Sequence, residues 1–398
     1  MRDIVRMSMD YTQAGLWFKI KKTVRYVRLY GFQRTLTKIR GQYHMKTTVD
    51  FDGPQWSNAK CHNPDNTFRQ VGLIGCGNYA FSTIGYYLKK HNAAFLRGTY
   101  DIHKGRAMSL CGNFSGLYAT ADWWDIVLDP KIKTVFVASN HASHAEYAIA
   151  CIEAGKHVHI EKPHVVSEEQ LIRLVRAMQA NPGSKVFLGF NRPKSPLFKK
   201  LMRVLRRETG PLMINWFIAG HEIPDGHWYF DLEEGGRVLG NLCHWTDLTL
   251  HLITIEKAFP CTIVPATPAG AKSDFVVSVI FADQSCMAIT FSAKGHTFEG
   301  VREVLNVHRE NVLATLSDFQ KLTIEVMDKK SKHWRVYRSH GHEENILNTI
   351  IKSESDDESG EDISCVYETA RFFLAIKQAI DSGNNVQLLR EDISIDSN

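Results

Sequence analysis

Between residues 68 and 192, short apolar runs rich in β-branched residues alternate with amphipathic helical stretches, and this alternation constrains the fold more than any other feature. Strands are predicted near residues 70–74, 94–100, 134–138, 157–160 and 185–189, with helices between them. Buried strands separated by helices are typical of βαβ units, in which both faces of a parallel sheet are covered. The pattern therefore predicts a doubly wound α/β domain over residues 68–192.

After Pro196 the pattern changes to successive strands joined by short turns. Strands are predicted near residues 212–219, 275–281, 286–293, 303–307, 311–316 and 321–326, and helices near 240–253, 343–352 and 364–382. Such a series is typical of antiparallel pairing. We therefore expect residues 193–398 to form an α+β domain with an open, mostly antiparallel sheet, and we leave open whether its last helix packs back on the first domain.

The net charge of +5 is unevenly distributed along the 398 residues. Residues 1–46 contain eleven basic and two acidic residues, a net of +9, whereas the other 352 residues sum to −4. A nearly neutral body argues against a nucleic-acid-binding protein. Residues 1–67 are therefore treated as a basic N-terminal extension and linker. Residues 354–362 contain six acids and are expected to form a solvated or disordered loop, because like charges repel.

The basic extension contains one amphipathic stretch. Within residues 16–31, apolar side chains recur at helical spacing (Trp17, Ile20, Val24 and Val27), and Lys21, Arg25 and Arg28 lie on the adjoining face. Three alternatives remain open for this arm: packing on its own body or on a neighbouring subunit, resting on an anionic membrane surface, or docking onto another protein.

The cell compartment is inferred from segments that the sequence lacks. No apolar window is long enough to span a bilayer, and the first apolar stretch is interrupted by charge before it reaches the length of a secretion signal. The eight cysteines contain no Cys-x-x-Cys pair and are expected to be reduced thiols. We therefore expect a cytoplasmic protein, with a membrane-peripheral position left open by the arm.

A glycine-rich turn follows the first strand of the α/β domain. Gly75 suits a turn too tight for a Cβ, and Gly77 allows a pyrophosphate to approach the backbone. A helix is predicted near residues 80–91, just after Asn78 and Tyr79, and its N-terminus offers free N–H groups and partial positive charge. These residues predict a dinucleotide-binding Rossmann domain in which Gly75, Gly77, Asn78 and Tyr79 contact the cofactor.

Asp101 ends the second predicted strand, 24 residues beyond Gly77. A carboxylate at this position accepts hydrogen bonds from a ribose diol and repels a 2′-phosphate, which favours NAD over NADP. Arg106 could accommodate the 2′-phosphate, so NADP remains the alternative cofactor.

Further motifs carry a resemblance to a known family. They are Asn140-His-Ala-Ser-His144, Glu161-Lys162-Pro163 after an Ala-Gly-Lys-His-Val run, Gly189-Phe-Asn191-Arg192-Pro, and the run from Gly235 to Asp247 that includes His244. With the glycine turn, they resemble the Gfo/Idh/MocA family of nicotinamide-dependent oxidoreductases over about residues 69–390. The resemblance implies a second domain that forms one wall of a sugar site and often the oligomer interface, so we expect a homo-oligomer.

Catalytic candidates come from both the residues and the resemblance. Asn140, Lys162 and Asn191 each follow a predicted parallel strand, and ligands of doubly wound sheets bind at these carboxyl ends. Oxidation of an alcohol needs a proton acceptor and a group that stabilises the developing alkoxide. The resemblance implies the second role for Lys162 and an acid/base role for His244, whose alternative is a hydrogen-bonded core histidine.

Two further cofactor contacts, His144 and Glu161, are expected beside Asn140 and Lys162. The resemblance implies that His144 frames the nicotinamide pocket, and the alternative is a histidine in the cap region of the next helix. Many family members carry an Asp four residues before the acid/base histidine, where this chain has Gly240.

The carboxylate partner of His244 is therefore open. Asp247 either orients the imidazole or only caps and solubilises the helix. The adjacent pair Cys243-His244 lacks spaced partners, so no metal site is expected.

The expected substrate contacts are Asn191, Trp228 and Arg237, with Tyr229 beside them. Aromatic faces stack on sugar rings, and a guanidinium can bind a phosphate or carboxylate with two hydrogen bonds. If Arg237 faces the site, a nucleotide-sugar or sugar-acid substrate is favoured over a free polyol.

These features predict hydride transfer between NAD(P) and a secondary alcohol or ketone of a sugar or nucleotide-sugar. The resemblance further suggests a place in carbohydrate or surface-polysaccharide metabolism. The alternative is a non-catalytic NAD(P)-binding regulator or scaffold on the same fold.

Overall fold

The structure is a computed structural model and describes residues 11–56, 69–91, 95–295 and 299–390. The chain divides into two compact units. The first unit contains residues 1–165, 169–189 and 343–363, and the second contains residues 166–168, 190–342 and 364–398.

A seven-stranded sheet forms the centre of the first unit. Its strands are β1 (Gln55–Trp56), β2 (Val71–Ile74), β3 (Leu96–Tyr100), β4 (Tyr118–Thr120), β5 (Thr134–Val137), β6 (His157–Ile160) and β7 (Val186–Leu188), in the order β1-β4-β3-β2-β5-β6-β7. All neighbours pair in parallel except β1, which pairs antiparallel with β4 at the edge. Side chains of the central strands, such as Leu73 and Phe136, are fully buried because helices cover both faces. The predicted doubly wound fold is confirmed.

The helices before and between these strands are α1 (Leu16–Tyr30), α2 (Phe32–His44), α3 (Tyr86–His91), α4 (Lys104–Asn113), α5 (Trp124–Val127), α6 (His144–Glu153) and α7 (Glu168–Ala180). The helix after the glycine turn has an unpredicted feature, because residues Ala80–Gly85 are a π-helix that continues into α3. Short π-helical segments within α-helices are rare and frequent at functional sites.

The basic arm is held to the first unit through α2. Arg34 donates a hydrogen bond to Thr83 at 3.0 Å, and its guanidinium lies over the rings of Tyr86 and Tyr87. Of the three alternatives for the arm, packing against the protein's own first unit therefore applies to α2. The apolar face predicted for α1 does not pack in this way, because Trp17 and Val24 are exposed.

The second unit contains a nine-stranded sheet. Its strands are β8 (Met213–Ala219), β9 (Cys261–Pro265), β10 (Phe275–Ile280), β11 (Cys286–Ser292), β12 (Arg302–Arg309), β13 (Val312–Ser317), β14 (Lys321–Val326), β15 (Lys332–Arg335) and β16 (Val386–Leu388). Their order is β15-β14-β13-β12-β8-β11-β10-β9-β16, and every pair is antiparallel except β8 with β11. The prediction of an open, mostly antiparallel sheet is confirmed.

One face of this sheet is buried and the other is exposed. Burial alternates along β8, where Ile214, Trp216 and Ile218 point inward and Met213 and Phe217 outward. This alternation is the period of two that a half-buried strand requires. The helices of this unit are α8 (Pro196–Leu205), α9 (Cys243–Ile253), which follows a π-helical segment Val238–Leu242, and α10 (Ile255–Ala258).

The two closing helices, α11 (His342–Glu354) and α12 (Ile363–Ser382), belong to different units. Residues 343–354 of α11 lie in the first unit, where Thr349 bonds to the buried His159 at 2.7 Å. α12 lies in the second unit, where Phe372 packs on Phe259. The 364–382 helix is thus assigned to the second unit, and its packing on the first domain stays a prediction.

The acidic run between these helices is only partly a free loop. Asp356, Asp357 and Glu358 are exposed, as expected of repelling charges. The backbone N–H of Glu361, however, donates to Val186 in β7 at 2.7 Å. Within the described residues, no helix is long and apolar enough to cross a membrane.

Candidate active site

The glycine turn after β2 has the geometry that a dinucleotide requires. Gly75 has a φ of +88°, and a Cβ there would lie 2.4 Å from the backbone of Ala138, so only glycine fits. At Gly77 a Cβ would meet nothing within 4 Å, so the backbone faces open space. Asn78 is exposed at the start of the following helix. This arrangement leaves room for a pyrophosphate beside a helix N-terminus.

Asp101, at the end of β3, is fastened to this turn. Its Oδ2 accepts a hydrogen bond from the backbone N–H of Cys76, and its Oδ1 accepts one from His103, both at 2.7 Å. Each carboxylate oxygen carries two lone pairs, so acceptor capacity remains for a ribose diol. The structure therefore brings Asp101 together with Gly75 and Gly77, as predicted.

Sequence reasoning missed a residue of the arm that supports the turn. His44, at the end of α2, is buried and contacts the carbonyl oxygen of Cys76 through Nε2 at 2.7 Å and Ser109 through Nδ1 at 3.0 Å. Its ring stacks on Phe81 with centroids 4.3 Å apart. Burial lowers the pKa of His44. The neutral imidazole therefore links the arm to the residue between the two glycines.

Two more arm contacts surround the same region. A Cβ at Gly41 would lie 2.5 Å from Oδ1 of Asn78, so α2 approaches the start of the cofactor helix closely. Asp50 and Asp52 form ion pairs with Lys104 at 2.7 and 3.2 Å. The sequence indicated only a helical spacing in the arm. That spacing did not predict the contact of Gly41 with Asn78 or the ion pairs with Lys104.

Glu161 and Lys162 follow β6, as predicted. The buried Glu161 side chain accepts a hydrogen bond from Tyr79, and burial, followed by the charge and hydrogen bond of Glu161, raises the pKa of the Tyr79 phenol. A Cβ at Gly189 would lie 2.7 Å from Oε2 of Glu161, so the end of β7 also closes on this carboxylate. Lys162 is half-buried and joined to Pro163 by a cis peptide bond.

Asn140 and His144 follow β5. Asn140 is exposed, and its Oδ1 accepts a hydrogen bond from Ser143 at 2.5 Å. His144 is the first residue of α6 and is buried, with Nδ1 2.7 Å from the carbonyl oxygen of Pro163 and Nε2 3.1 Å from that of Ser139. Burial lowers the pKa of His144. Its ring therefore ties two loops together, and direct contact with a nicotinamide stays a prediction.

In the second unit, His244 lies near the start of α9, half-buried. Its ring meets Phe190 edge to face, with centroids 6.2 Å apart. Asp247 is buried, and its Oδ1 lies 3.6 Å from Nε2 of His251, one turn further along α9. The charged neighbour found for Asp247 is thus His251, and an orienting role toward His244 gains no support from these contacts.

A buried network centred on Glu303 was not predicted. Its carboxylate accepts hydrogen bonds from Arg192 at 2.9 and 3.1 Å and from Trp245 Nε1 at 2.7 Å, and lies 3.0 Å from His340 Nε2. The Arg192 charge and the His340 bond lower the pKa of Glu303 to about 2, against the opposing effect of burial. Because Trp245 follows His244 directly, this network fixes the start of α9.

Asn191, an expected substrate contact, has a structural partner. It is buried, and its Nδ2 donates to the carbonyl oxygen of His340 at 2.6 Å. The Asn191 amide therefore holds the backbone of His340, whose ring contacts Glu303. A direct role for Asn191 in substrate binding stays a prediction.

Trp228, Tyr229 and Arg237 are brought together, as the sequence suggested. Trp228 is exposed and meets Tyr229 edge to face at 4.5 Å. Arg237 is buried, lies over the ring of Phe291 at 5.1 Å and interacts electrostatically with Tyr229. This cluster combines an aromatic surface with a cation.

Residues 69–190 match the sequence profile of the Gfo/Idh/MocA oxidoreductases, described as an oxidoreductase family with an NAD-binding Rossmann fold. Inositol 2-dehydrogenase 2 of Saccharopolyspora erythraea is 31% identical over 207 residues, which cover 52% of this chain and 60% of that protein. Inositol 2-dehydrogenase of Ralstonia nicotianae is 31% identical over 150 residues, covering 37% and 44%. The chain therefore spans less than two thirds of either relative.

Among solved structures, levoglucosan dehydrogenase in complex with NADH and L-sorbose superimposes with a TM-score of 0.68 at 17% identity, covering 80% of this chain and 98% of that one. GenD2 from gentamicin A biosynthesis, in complex with NAD, superimposes with a TM-score of 0.67 at 17% identity. The match covers 81% of this chain and 96% of GenD2. At such identities the likeness establishes a shared fold. Residues 69–190 of this chain are thus similar to the Gfo/Idh/MocA oxidoreductases, and the Rossmann fold of the first unit agrees with the NAD-binding fold of that family.

Proposed function

We propose that this protein is an NAD-dependent dehydrogenase that oxidises a secondary alcohol of a sugar or nucleotide-sugar. The observation that carries the proposal is the glycine turn, where Gly75 is obligatory, Gly77 faces open space and Asp101 is fixed beside them. Relatives named inositol 2-dehydrogenase and the levoglucosan dehydrogenase structure support a polyol or sugar substrate.

The residues of the turn fit an NAD molecule. The N–H groups at the start of the helix would hold the pyrophosphate, and Asp101 the adenosine ribose. The Asp101 carboxylate is held in place by two backbone N–H groups and would repel a 2′-phosphate, which supports NAD over NADP. NAD, when bound, supplies the hydride acceptor.

Two side chains perform the remaining chemistry in this proposal. His244 accepts the proton of the substrate hydroxyl, and Lys162 stabilises the negative charge that develops on the same oxygen. Glu303 acts as a positioning residue, because its bond to Trp245 holds the start of the helix that carries His244. Asp247 is not needed in this scheme, since its neighbour is His251.

We further propose that the protein works as a homo-oligomer through the open sheet of the second unit. Apolar side chains are exposed on that face, namely Met213, Phe217, Val276, Ile280 and Leu313. A contiguous exposed apolar surface of this kind marks an interaction site. Sedimentation analysis tests this, with Phe217→Asp expected to dissociate the assembly.

The functional proposal is tested by following NADH formation with a panel of polyols, sugars and nucleotide-sugars. Lys162→Met and His244→Ala are expected to lower kcat by about 100- to 10,000-fold while NAD affinity stays unchanged. The matched surface variants Lys330→Met, in an exposed turn, and His333→Ala, on the edge strand β15, should retain full activity, because both side chains are exposed.

The alternative, a non-catalytic NAD-binding regulator, is favoured by Gly240, which stands where many family members carry a carboxylate. It predicts tight NAD binding with no turnover of any substrate in the panel. Turnover that survives both Lys162→Met and His244→Ala would show that the assigned roles are wrong.

A further inference from the structure

We propose that Arg237 forms an anion subsite, so that the substrate carries a carboxylate or phosphate group in addition to the oxidised hydroxyl. This inference rests on the proposed function and names its substrate class. It is carried by the surroundings of the guanidinium in the second unit.

Arg237 is almost completely buried, with 3% of its surface exposed. Its Nε has no hydrogen-bond partner, and no carboxylate in the described part of the chain lies at ion-pair distance. By contrast, the buried Arg192 is fully paired with Glu303. The buried Arg338 of this unit is likewise paired, with Glu299 at 3.3 Å, so Arg237 differs from both in having no acid at this distance among the described residues.

A buried guanidinium without an anion is energetically unfavourable, because arginine stays protonated and desolvation penalises its charge. The Phe291 ring at 5.1 Å offsets part of this cost through a cation–π contact. The Asp274 carboxylate acts only at longer range, and its Oδ1 already accepts the N–H of Ala293 at 3.0 Å. An anionic ligand would supply the missing partner.

The groups around Arg237 suit such a ligand. A Cβ at Gly220 would lie 2.7 Å from Nη2, so the guanidinium occupies the space that a side chain at position 220 would fill. Burial, and then the Arg237 charge, lower the pKa of His227, which favours the neutral form of that ring. Tyr229 and the exposed Trp228 add an aromatic surface on which a sugar ring can stack. The cluster thus offers one cation together with neutral and aromatic groups.

The test compares neutral sugars with derivatives that carry an added anionic group. Glucose is compared with glucuronate and with glucose 6-phosphate, and N-acetylglucosamine with its uridine diphosphate conjugate. We expect the wild-type protein to have a higher kcat/KM for at least one anionic member of these pairs. The carboxylate, phosphomonoester and diphosphate arms distinguish the source of the charge.

Arg237→Met is expected to lower kcat/KM for the preferred anionic probe by about 10- to 150-fold, the range of 1.5–3 kcal/mol for hydrogen bonds to charged groups. Activity on the neutral partner and NAD affinity should change little. Arg207→Met, an exposed arginine of the same unit, is the matched control. Equal losses on neutral and anionic probes, or a wild-type preference for the neutral members, would overturn the anion subsite.

Gly220→Ala provides a second variant in case Arg237→Met does not fold. The new methyl group displaces the flexible end of the arginine without removing its charge, so the protein should fold and lose anion preference. Binding of glucuronate and inorganic phosphate is measured separately by thermal shift. Anion binding that depends on Arg237 without any turnover would refute the dehydrogenase proposal alone, whereas turnover of neutral sugars without anion binding would refute the subsite alone.

A different segment carries a second inference: we infer that α1 docks on an anionic lipid surface. Four of its apolar side chains, Leu16, Trp17, Ile20 and Val24, are exposed, with Leu16 and Trp17 at 73% and 75%. At about 100° per residue they share an arc of about 100° on the helix. They form an apolar stripe that nothing within the described residues covers.

A basic stripe adjoins the apolar one. Lys21, Arg25 and Arg28 are exposed and occupy the next arc of about 80°. Residues 11–46 contain nine basic residues and no acidic residue. An exposed apolar face beside a basic face fits the boundary between acyl chains and anionic headgroups. The charge of this surface therefore selects lipid over an apolar protein groove.

The test is co-sedimentation of the full chain with vesicles of phosphatidylcholine, with and without phosphatidylglycerol. Pelleting is expected only with the anionic vesicles and should decrease with salt. Lys21→Glu with Arg28→Glu should weaken binding by roughly 25-fold or more, about 1 kcal/mol for each basic residue. Lys329→Glu with Lys330→Glu makes the same change of charge at an exposed turn of the second unit and should leave binding intact.

Trp17→Ser with Ile20→Ser removes apolar area without changing charge and should also reduce pelleting. Equal binding to neutral vesicles, or equal losses in both charge-reversed variants, would overturn the inference. A change in oligomeric mass caused by Trp17→Ser with Ile20→Ser, in the absence of vesicles, would assign the face to a protein partner instead.

Discussion

Replacement of His44 by alanine tests whether the N-terminal arm is part of the cofactor domain. In the wild-type structure this ring contacts the Cys76 carbonyl oxygen at 2.7 Å and Ser109 at 3.0 Å, and it stacks on Phe81. His44→Ala leaves the buried Cys76 carbonyl oxygen without this partner, at about 1–3 kcal/mol, and removes a ring contact of about 0.5–1.5 kcal/mol. We expect a loss of roughly 1.5–4.5 kcal/mol in the free energy of unfolding.

The same substitution should also weaken NAD binding, because Cys76 lies between the two glycines of the turn. Without this hydrogen bond the turn is less ordered in the free protein, so NAD binding must order it at a cost in binding free energy. We expect a cost of about 1.4 kcal/mol, which is roughly a tenfold rise in the Kd of NAD. Urea unfolding and calorimetric titration with NAD measure the two effects. His333→Ala, an exposed histidine of the edge strand β15, is the control.

The pH dependence provides a separate check. Burial lowers the pKa of His44, so the unfolded chain takes up a proton more readily than the folded protein. The stability contributed by the neutral ring is therefore present above the ordinary value of 6.5 and lost as the pH falls below it. The difference in the free energy of unfolding between the wild type and His44→Ala should therefore decrease as the pH falls below 6.5. Identical unfolding and NAD affinity in the two proteins would refute the reasoning.

Three further predictions concern the same two units. Gly75→Ala forces a Cβ against the Ala138 backbone at a left-handed φ, and thermal unfolding and NAD titration should show lost stability and no NAD binding. Asp101→Ser should raise the Kd of NAD about 10- to 100-fold and reduce the preference over NADP, both measured by titration; stronger NADP binding by the wild type would contradict the assignment. Glu303→Gln, which breaks a buried ion pair, should cost about 3–5 kcal/mol in urea unfolding. In the wild type the pKa of Glu303 is lowered from 4.5 to about 2. The free energy of unfolding of the wild type should therefore decrease by up to about 3 kcal/mol as the pH falls from 4.5 to about 2, and Glu303→Gln should lack this decrease.

Local patterns in the sequence were sufficient to predict most of the fold. The strands β5, β6 and β14 lie within a residue of their predicted bounds, because a continuous apolar run or a strict alternation depends on neighbouring residues only. The glycine turn was predictable for the same reason, since the left-handed φ at Gly75 is a local requirement.

Features that depend on distant packing were not predictable. The partner of Arg192 is Glu303, 111 positions further along the chain, and no spacing rule connects them. His44 lies in an arm whose composition indicated only a basic amphipathic helix. The parallel pairing of β8 with β11 likewise depends on tertiary arrangement, because turn lengths predict only the pairing of successive strands.

The passage of α11 into the first unit means that neither unit is a continuous stretch of sequence. Ile346 and Ile350 belong to the apolar core around Leu73 and Phe136. A fragment that ends after β7 would therefore expose this core and lack part of its own interior. Fragment complementation with a peptide of residues 342–363, or circular permutation that moves α11 to the N-terminus, is the way to obtain the cofactor domain alone. Domain exchange within the family must likewise transfer two separate segments together.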